Sequence, residues 1–147
     1  MATVTVSNEI AAPLDRVFQT FTDIEHGPSR VSGIKKLEMM SPGPVHIGTR
    51  WLETREVMGR LDTAEMEITS FERNRMYTIT HYKAGVRIDT TFRFEPTGDG
   101  TKVTVEFDLG SGGLPPGMLA PLGWALSGKV EKVLSDDLSD LKRSIGG

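Results

Sequence analysis

The apolar residues of the last third, Leu119, Leu122, Leu126, Val130, Val133, Leu134, Leu138, Leu141 and Ile145, recur three or four apart. Lys129, Glu131, Lys132, Asp136, Asp137, Asp140 and Lys142 lie mostly between them. That spacing predicts a long amphipathic helix from about Gly123 to Ser144, with Met118 as its earliest start. A helix with one apolar stripe must bury it against another layer, and the rest of the chain indicates what that layer is.

Thr3 to Ile10 alternates, with Val4, Val6, Asn8 and Ile10 on one side and Thr3, Thr5, Ser7 and Glu9 on the other, which predicts a strand with one wet face. Pro13 suits the first turn of a helix, and Leu14, Val17, Phe18 and Phe21 continue it at helical spacing to about Thr22. Asp23 to Ser32 is turn-rich, with room for one more helical turn. Strands are then expected at Ile34–Met40, Thr49–Val57, Thr63–Phe71, Arg75–Tyr82, Val86–Phe94 and Val103–Leu109, broken by Pro-, Gly- and Asn-containing turns. Short, turn-punctuated strands imply antiparallel neighbours. The order is strand, short helical region, six strands, long helix, within one domain spanning residues 1–147.

Composition removes several functional classes. With 17 Lys and Arg against 20 Asp and Glu, the formal charge is -3, which argues against a general nucleic-acid binder. There is no cysteine, so disulfide scaffolds, thiol nucleophiles and zinc ribbons are excluded. The N-terminus does not read as a secretory signal, and a cytoplasmic location is the default expectation. Leu109 to Gly128 carries no charge and is long enough to suggest a membrane span. Its glycines and prolines would break a spanning helix, so no integral membrane association is expected. It is read instead as a loop leading into the last helix.

Four motifs in this order carry a resemblance to a known family. They are Ile10-Ala-Ala-Pro13 with Val17-Phe18 and Asp23; Val45-His-Ile-Gly-Thr-Arg-Trp51; Gly98-Asp-Gly-Thr-Lys-Val-Thr-Val105; and Asp137-Leu138 with Leu141-Lys142. The chain resembles the START-like superfamily, also called the polyketide cyclase/dehydrase and Bet v 1-like fold, over essentially its whole length. The resemblance implies an α+β helix-grip fold: a curved seven-stranded antiparallel sheet wrapped around the long C-terminal helix, with two short helices after the first strand and a cavity between sheet and helix. Family members bind lipids, sterols, polyketides or plant hormones, and some cyclise or dehydrate polyketides. Many relatives carry a Trp shortly after the position of Asp23. This chain has Gly27-Pro-Ser-Arg-Val31 there, so the cavity mouth is expected to be shaped differently.

Within that frame the strand Thr49–Val57 is unusually polar. Trp51, Glu53, Arg55 and Val57 share one face, and Arg50, Leu52, Thr54, Glu56 and Met58 share the other, so its register is ambiguous. If Trp51 points inward, Glu53 and Arg55 enter the cavity and either pair or anchor a polar ligand group, because an unpaired buried charge is costly. The alternative is a solvated outer face with cross-strand ion pairs. His81 shares a face with Tyr77 and Ile79, as a structural residue, a hydrogen-bonding group or a general base. The methionines are core filler, with Met66 and Met118 as candidates for pocket lining. Gly110-Ser-Gly-Gly113 lacks the spacing of a phosphate loop. It reads as a hinge over the cavity mouth, with Leu114, Met118 and Leu119 as cover, or as a slack connection.

The function expected is binding of a hydrophobic or amphipathic small molecule of lipid, sterol or polyketide type, without a cofactor or metal. Apolar lining is expected from Phe18, Phe21, Trp51, Met66, Ile68, Ile79, Ile88, Phe92, Leu119, Leu122 and Leu126, and polar orientation from Glu53, Arg55, Tyr77 and His81. The alternative is a cyclase or dehydratase in which His81 or Glu53 abstracts a proton alpha to a carbonyl and Arg55 stabilises the enolate. That version needs at least two of these groups within hydrogen-bond reach. A third reading is an interaction module, marked by an exposed apolar patch. A homodimer is left open.

Overall fold

A computed structural model of the chain describes residues 4–57, 59–109 and 128–146. The N-terminal alternation forms β1 (Val4–Ile10), with Val6 and Ile10 buried. Pro13 stands just before α1 (Leu14–Thr22) rather than in its first turn: its φ of -61° suits a helix, but its ψ of 149° is still extended. Val17, Phe18 and Phe21 are buried along one side of α1. A 3-10 turn (Ile24–His26) and the single turn of α2 (Gly27–Arg30) follow.

The remaining strands are β2 (Ile34–Met39), β3 (Arg50–Val57), β4 (Arg60–Glu72), β5 (Met76–Lys83), β6 (Val86–Pro96) and β7 (Thr101–Leu109). They form one antiparallel sheet in the order β1-β7-β6-β5-β4-β3-β2. The last helix, α3, runs Lys129–Ile145. The strand it packs on most is β1, so the first strand and the last helix close one end of the molecule together. α3 ends at Gly146, whose φ of 91° lets its N–H turn back onto the carbonyls of Lys142 and Arg143. The expected start of this helix at Gly123 lies outside the described residues, as do Leu119, Leu122, Leu126, Met118 and the Gly110-Ser-Gly-Gly113 segment.

The contacts of α3 extend across most of the sheet. Five strand spacings of about 4.8 Å separate β1 from β3, roughly 24 Å on a flat sheet, more than twice the width of a helix. Yet α3 packs on β1 and its Asp137 is hydrogen-bonded to Arg55 on β3. With 17 residues, about 25 Å, α3 is long enough to reach from one to the other. β-bulges at Ile34/Lys36 and Ile68/Ser70, which increase local twist and bend a strand, lie in the half of the sheet formed by β2 to β5.

The concave face, α1 and α3 enclose the core, which includes Ile10, Val17, Trp51, Ile68, Val103, Val105 and Leu138, all nearly or fully buried. Phe18 sits at the centre of an edge-to-face aromatic cluster, with ring centroids 5.0 Å from Phe94, 5.6 Å from Phe71 and 6.1 Å from Tyr77. Gly100 permits a close backbone approach. A Cβ there would stand 2.3 Å from the carbonyl oxygen of Ile10, so only glycine lets the start of β7 lie against the end of β1. The convex face carries threonine pairs, such as Thr78 with Thr91 at 2.9 Å, and ion pairs. Glu65 and Glu67 point outward there and pair with Arg50 at 3.3 and 3.4 Å.

Candidate functional site

Between the concave face and α3 lies a cavity of about 210 Å³. Strand parity decides what enters it. β3 presents Trp51, Glu53 and Arg55 inward and leaves Arg50 and Glu56 exposed, which resolves the ambiguity of this strand in favour of the inward charges. Register then sets each inward residue beside its neighbours: Trp51 opposite Met66, Glu53 opposite Ala64, and Arg55 opposite Asp62 on β4. β5 contributes Tyr77, Ile79, His81 and Lys83, and β6 contributes Ile88, Thr90 and Phe92.

Of the residues expected in the wall, Phe21, Trp51, Glu53, Arg55, Met66, Tyr77, Ile79, His81, Ile88 and Phe92 line the cavity. Phe18 and Ile68 do not. Phe18 lies one turn before Phe21 on α1 and is enclosed by the rings of Phe71, Tyr77 and Phe94. Ile68 is wholly buried beside the bulge in β4, where its backbone pairs with Gly48 and Thr49. The stretch Gly27–Val31 contributes Gly27, Arg30 and Val31 to the wall.

Trp51, Glu53, Arg55 and Asp137 form one connected cluster. The Trp51 indole N–H donates to Glu53 Oε1 at 3.2 Å, and Arg55 Nε donates to Glu53 Oε2 at 2.8 Å. The two terminal nitrogens of Arg55 donate to the two oxygens of Asp137 on α3 at 3.2 and 2.8 Å. This fork uses both Asp137 oxygens as acceptors, the geometry of a bidentate Arg–carboxylate pair. Burial pushes the Asp137 carboxyl above its ordinary range, and the Arg55 guanidinium opposes that rise. Burial works against the Arg55 charge, but Asp137 and Glu53 more than offset it and hold the guanidinium firmly protonated. Nearer solvent, Lys83 pairs with Asp62 at 2.9 Å; at the opposite rim, Asp23 pairs with Arg30 and His26, each at 2.8 Å.

Asp137 was missed by reading the helix for apolar positions alone. The signal was there: Val130, Leu134, Asp137 and Leu141 stand four, three and four apart, so Asp137 occupies an inward position of the stripe.

His81 projects into the cavity, and its ring nitrogens have no hydrogen-bond partner among the described residues. Burial pushes its imidazole below the usual histidine range, with Glu53 opposing. A histidine held low binds fewer protons in the folded than in the unfolded chain between its folded pKa and about 6.5. Unfolding free energy should therefore fall as the pH drops through that window. In His81→Gln the fall should be shallower, measured as the urea midpoint from pH 7.5 down to 5. Superimposable profiles would show that His81 titrates alike in both states.

The phenol of Tyr77, fully buried, is held protonated by burial first and by Glu53 and Asp137 next. Its O–H faces the Phe21 carbonyl at 3.4 Å. Among the described residues, no group of three or more His, Asp or Glu is placed to hold a metal ion, and no helix is long and apolar enough to cross a membrane.

A family model described as polyketide cyclase / dehydrase and lipid transport matches residues 1–146. The chain belongs to this family. Its structural relatives share the helix-grip fold at low sequence identity. The protein TTHA0849 of Thermus thermophilus is 20% identical with a TM-score of 0.75, covering 97% of this chain and 95% of its own. The Zhui aromatase/cyclase of Streptomyces sp. R1128 is 16% identical with a TM-score of 0.74, covering 97% and 92%. A START superfamily protein of Mycobacterium smegmatis is 17% identical with a TM-score of 0.73, covering 97% of both chains. No curated protein matches in sequence. Within the polyketide cyclase/dehydrase and lipid transport family, the seven-stranded sheet, the short helices after β1 and the C-terminal helix are thus the shared frame.

Proposed function

We propose that this protein binds an amphipathic small molecule in the cavity between sheet and α3, with its apolar body against Phe21, Ile79, Ile88 and Phe92. The observation that carries this is the division of the wall. One part is aromatic and aliphatic, and the other holds Glu53, Arg55, Asp137 and His81. Apolar surface provides affinity by desolvation, and a few fixed polar groups orient the ligand. A volume of about 210 Å³ lies below the roughly 300–1,000 Å³ of drug-sized sites, which favours a compact ring system over a long acyl chain.

The enzyme reading draws support from His81 alone. Glu53 and Arg55 do converge at 2.8 Å, but on each other, and both ends of the Arg55 fork are occupied by Asp137. His81, held neutral and unpartnered among the described residues, is the group best suited to accept a proton from a bound carbonyl compound.

Binding is tested with the neutral fluorophore N-phenyl-1-naphthylamine. Its emission should rise and saturate near one equivalent. Ala64→Trp, which places an indole in the wall between Glu53 and Met66, should reduce the affinity at least tenfold while the thermal transition stays cooperative. Absence of saturable binding to the wild-type protein would sink the proposal.

A further inference from the structure

The cavity wall bears an uncompensated negative charge, and its position is defined. Its ionisable groups are Asp23, Glu53, Asp62 and Asp137 against Arg30, Arg55 and Lys83, with His81 neutral. Asp23 is paired with Arg30 at one rim, and Asp62 with Lys83 at the other. What remains is the cluster of Glu53 and Asp137 around the single guanidinium of Arg55, one acid in excess. Residues 110–127 contain no Asp, Glu, Lys, Arg or His, so their position leaves this balance unchanged.

Geometry adds to the charge. The cation already holds both acids, since Arg55 gives Nε to Glu53 and one N–H of each terminal nitrogen to Asp137, three of its five donors. An incoming carboxylate would come up against two acids already seated on the guanidinium and be repelled by them, in a place where water screens little. The carboxylates keep spare lone pairs for a donor, because each oxygen accepts one hydrogen bond and has room for another. His81, without a partner among the described residues, adds a neutral acceptor in the same wall.

Resting on the binding function proposed above, we infer that the cavity selects amphiphiles by the charge of their polar end: a hydrophobic amine binds more tightly than the matching alcohol, and the alcohol more tightly than the matching carboxylate. The ammonium or hydroxyl donates to Glu53 or Asp137, and the ring system occupies the apolar wall.

Three probes with one body separate this from the binding proposal itself: 2-naphthylmethylamine, 2-naphthalenemethanol and 2-naphthoate, titrated at pH 7.5 by calorimetry. The amine should bind at least tenfold more tightly than the carboxylate, with the alcohol between them. Because the whole chain is negatively charged, the preference must also be traced to the cluster. Glu53→Gln should shrink the amine-to-carboxylate ratio severalfold, whereas Glu72→Gln, which removes the same charge at the exposed end of β4, should leave it unchanged. Equal affinities, or a carboxylate that binds best, overturn the inference and leave the cavity as a binding site. An equal response to Glu53→Gln and Glu72→Gln overturns it as well. Failure of all three probes removes the binding proposal and this inference with it.

Discussion

Arg55→Met is expected to destabilise the protein by about 3 kcal/mol, because it leaves Glu53 and Asp137 side by side in the wall without their cation. Both acids are largely withdrawn from water, with side chains 10% and 18% exposed, so solvent cannot take over the role of the guanidinium. The charge left behind is the cause, not the lost packing, and the triple variant Glu53→Gln, Arg55→Met, Asp137→Asn separates the two. With no unpaired charge remaining, it should recover most of the loss, as buried ion clusters commonly tolerate neutral replacement. Urea unfolding of both variants at pH 7 measures this. A triple variant no more stable than Arg55→Met would show that packing, not charge, is what Arg55 supplies. The same cluster joins β3 to α3 across the mouth of the sheet, so its loss should loosen the cavity as well as the fold.

Phe18→Ala is expected to cost more, about 4 kcal/mol, since it empties the centre of the aromatic cluster formed with Phe71, Tyr77 and Phe94. Three rings contributed by three strands cannot collapse together onto an alanine without moving the sheet. Because Phe18 lies behind the cavity wall, the folded variant should still bind N-phenyl-1-naphthylamine. Thermal unfolding and probe titration are read on the same sample. A loss of affinity matching that of Ala64→Trp, with stability little changed, would place Phe18 in the wall instead.

Phe18 and Phe21 show where sequence reading stops. Helical spacing puts both on the buried side of α1, and that much is local. Which of them meets a hollow and which meets packed rings depends on strands more than fifty residues away. β3 poses the same problem more sharply. Alternation groups Trp51, Glu53 and Arg55 correctly, but both faces mix charged and apolar residues, so the pattern has no preferred side. The residue that makes the inward choice tolerable is Asp137, on the last helix, and no window along the chain contains both. The order of elements and the strand positions were legible because each rests on short-range periodicity and turn chemistry. β4, β6 and β7 run longer than their patterns, β4 the most, since its first residues belong to the polar, exposed end of the hairpin with β3.

The pairing of β1 with β7 also bears on how the chain is made. Val4 lies opposite Phe107, so the first strand has no partner until about a hundred residues more have been added. At about 5–20 residues per second on the ribosome, that is a wait of roughly 5–20 s. The strands from β2 to β6 pair with sequence neighbours and can assemble meanwhile, whereas β1 must remain unpaired or be sheltered. α3 emerges after all seven strands. The trough of the sheet is therefore complete before its lid exists, and a ligand present during synthesis would meet an open bed rather than a closed pocket.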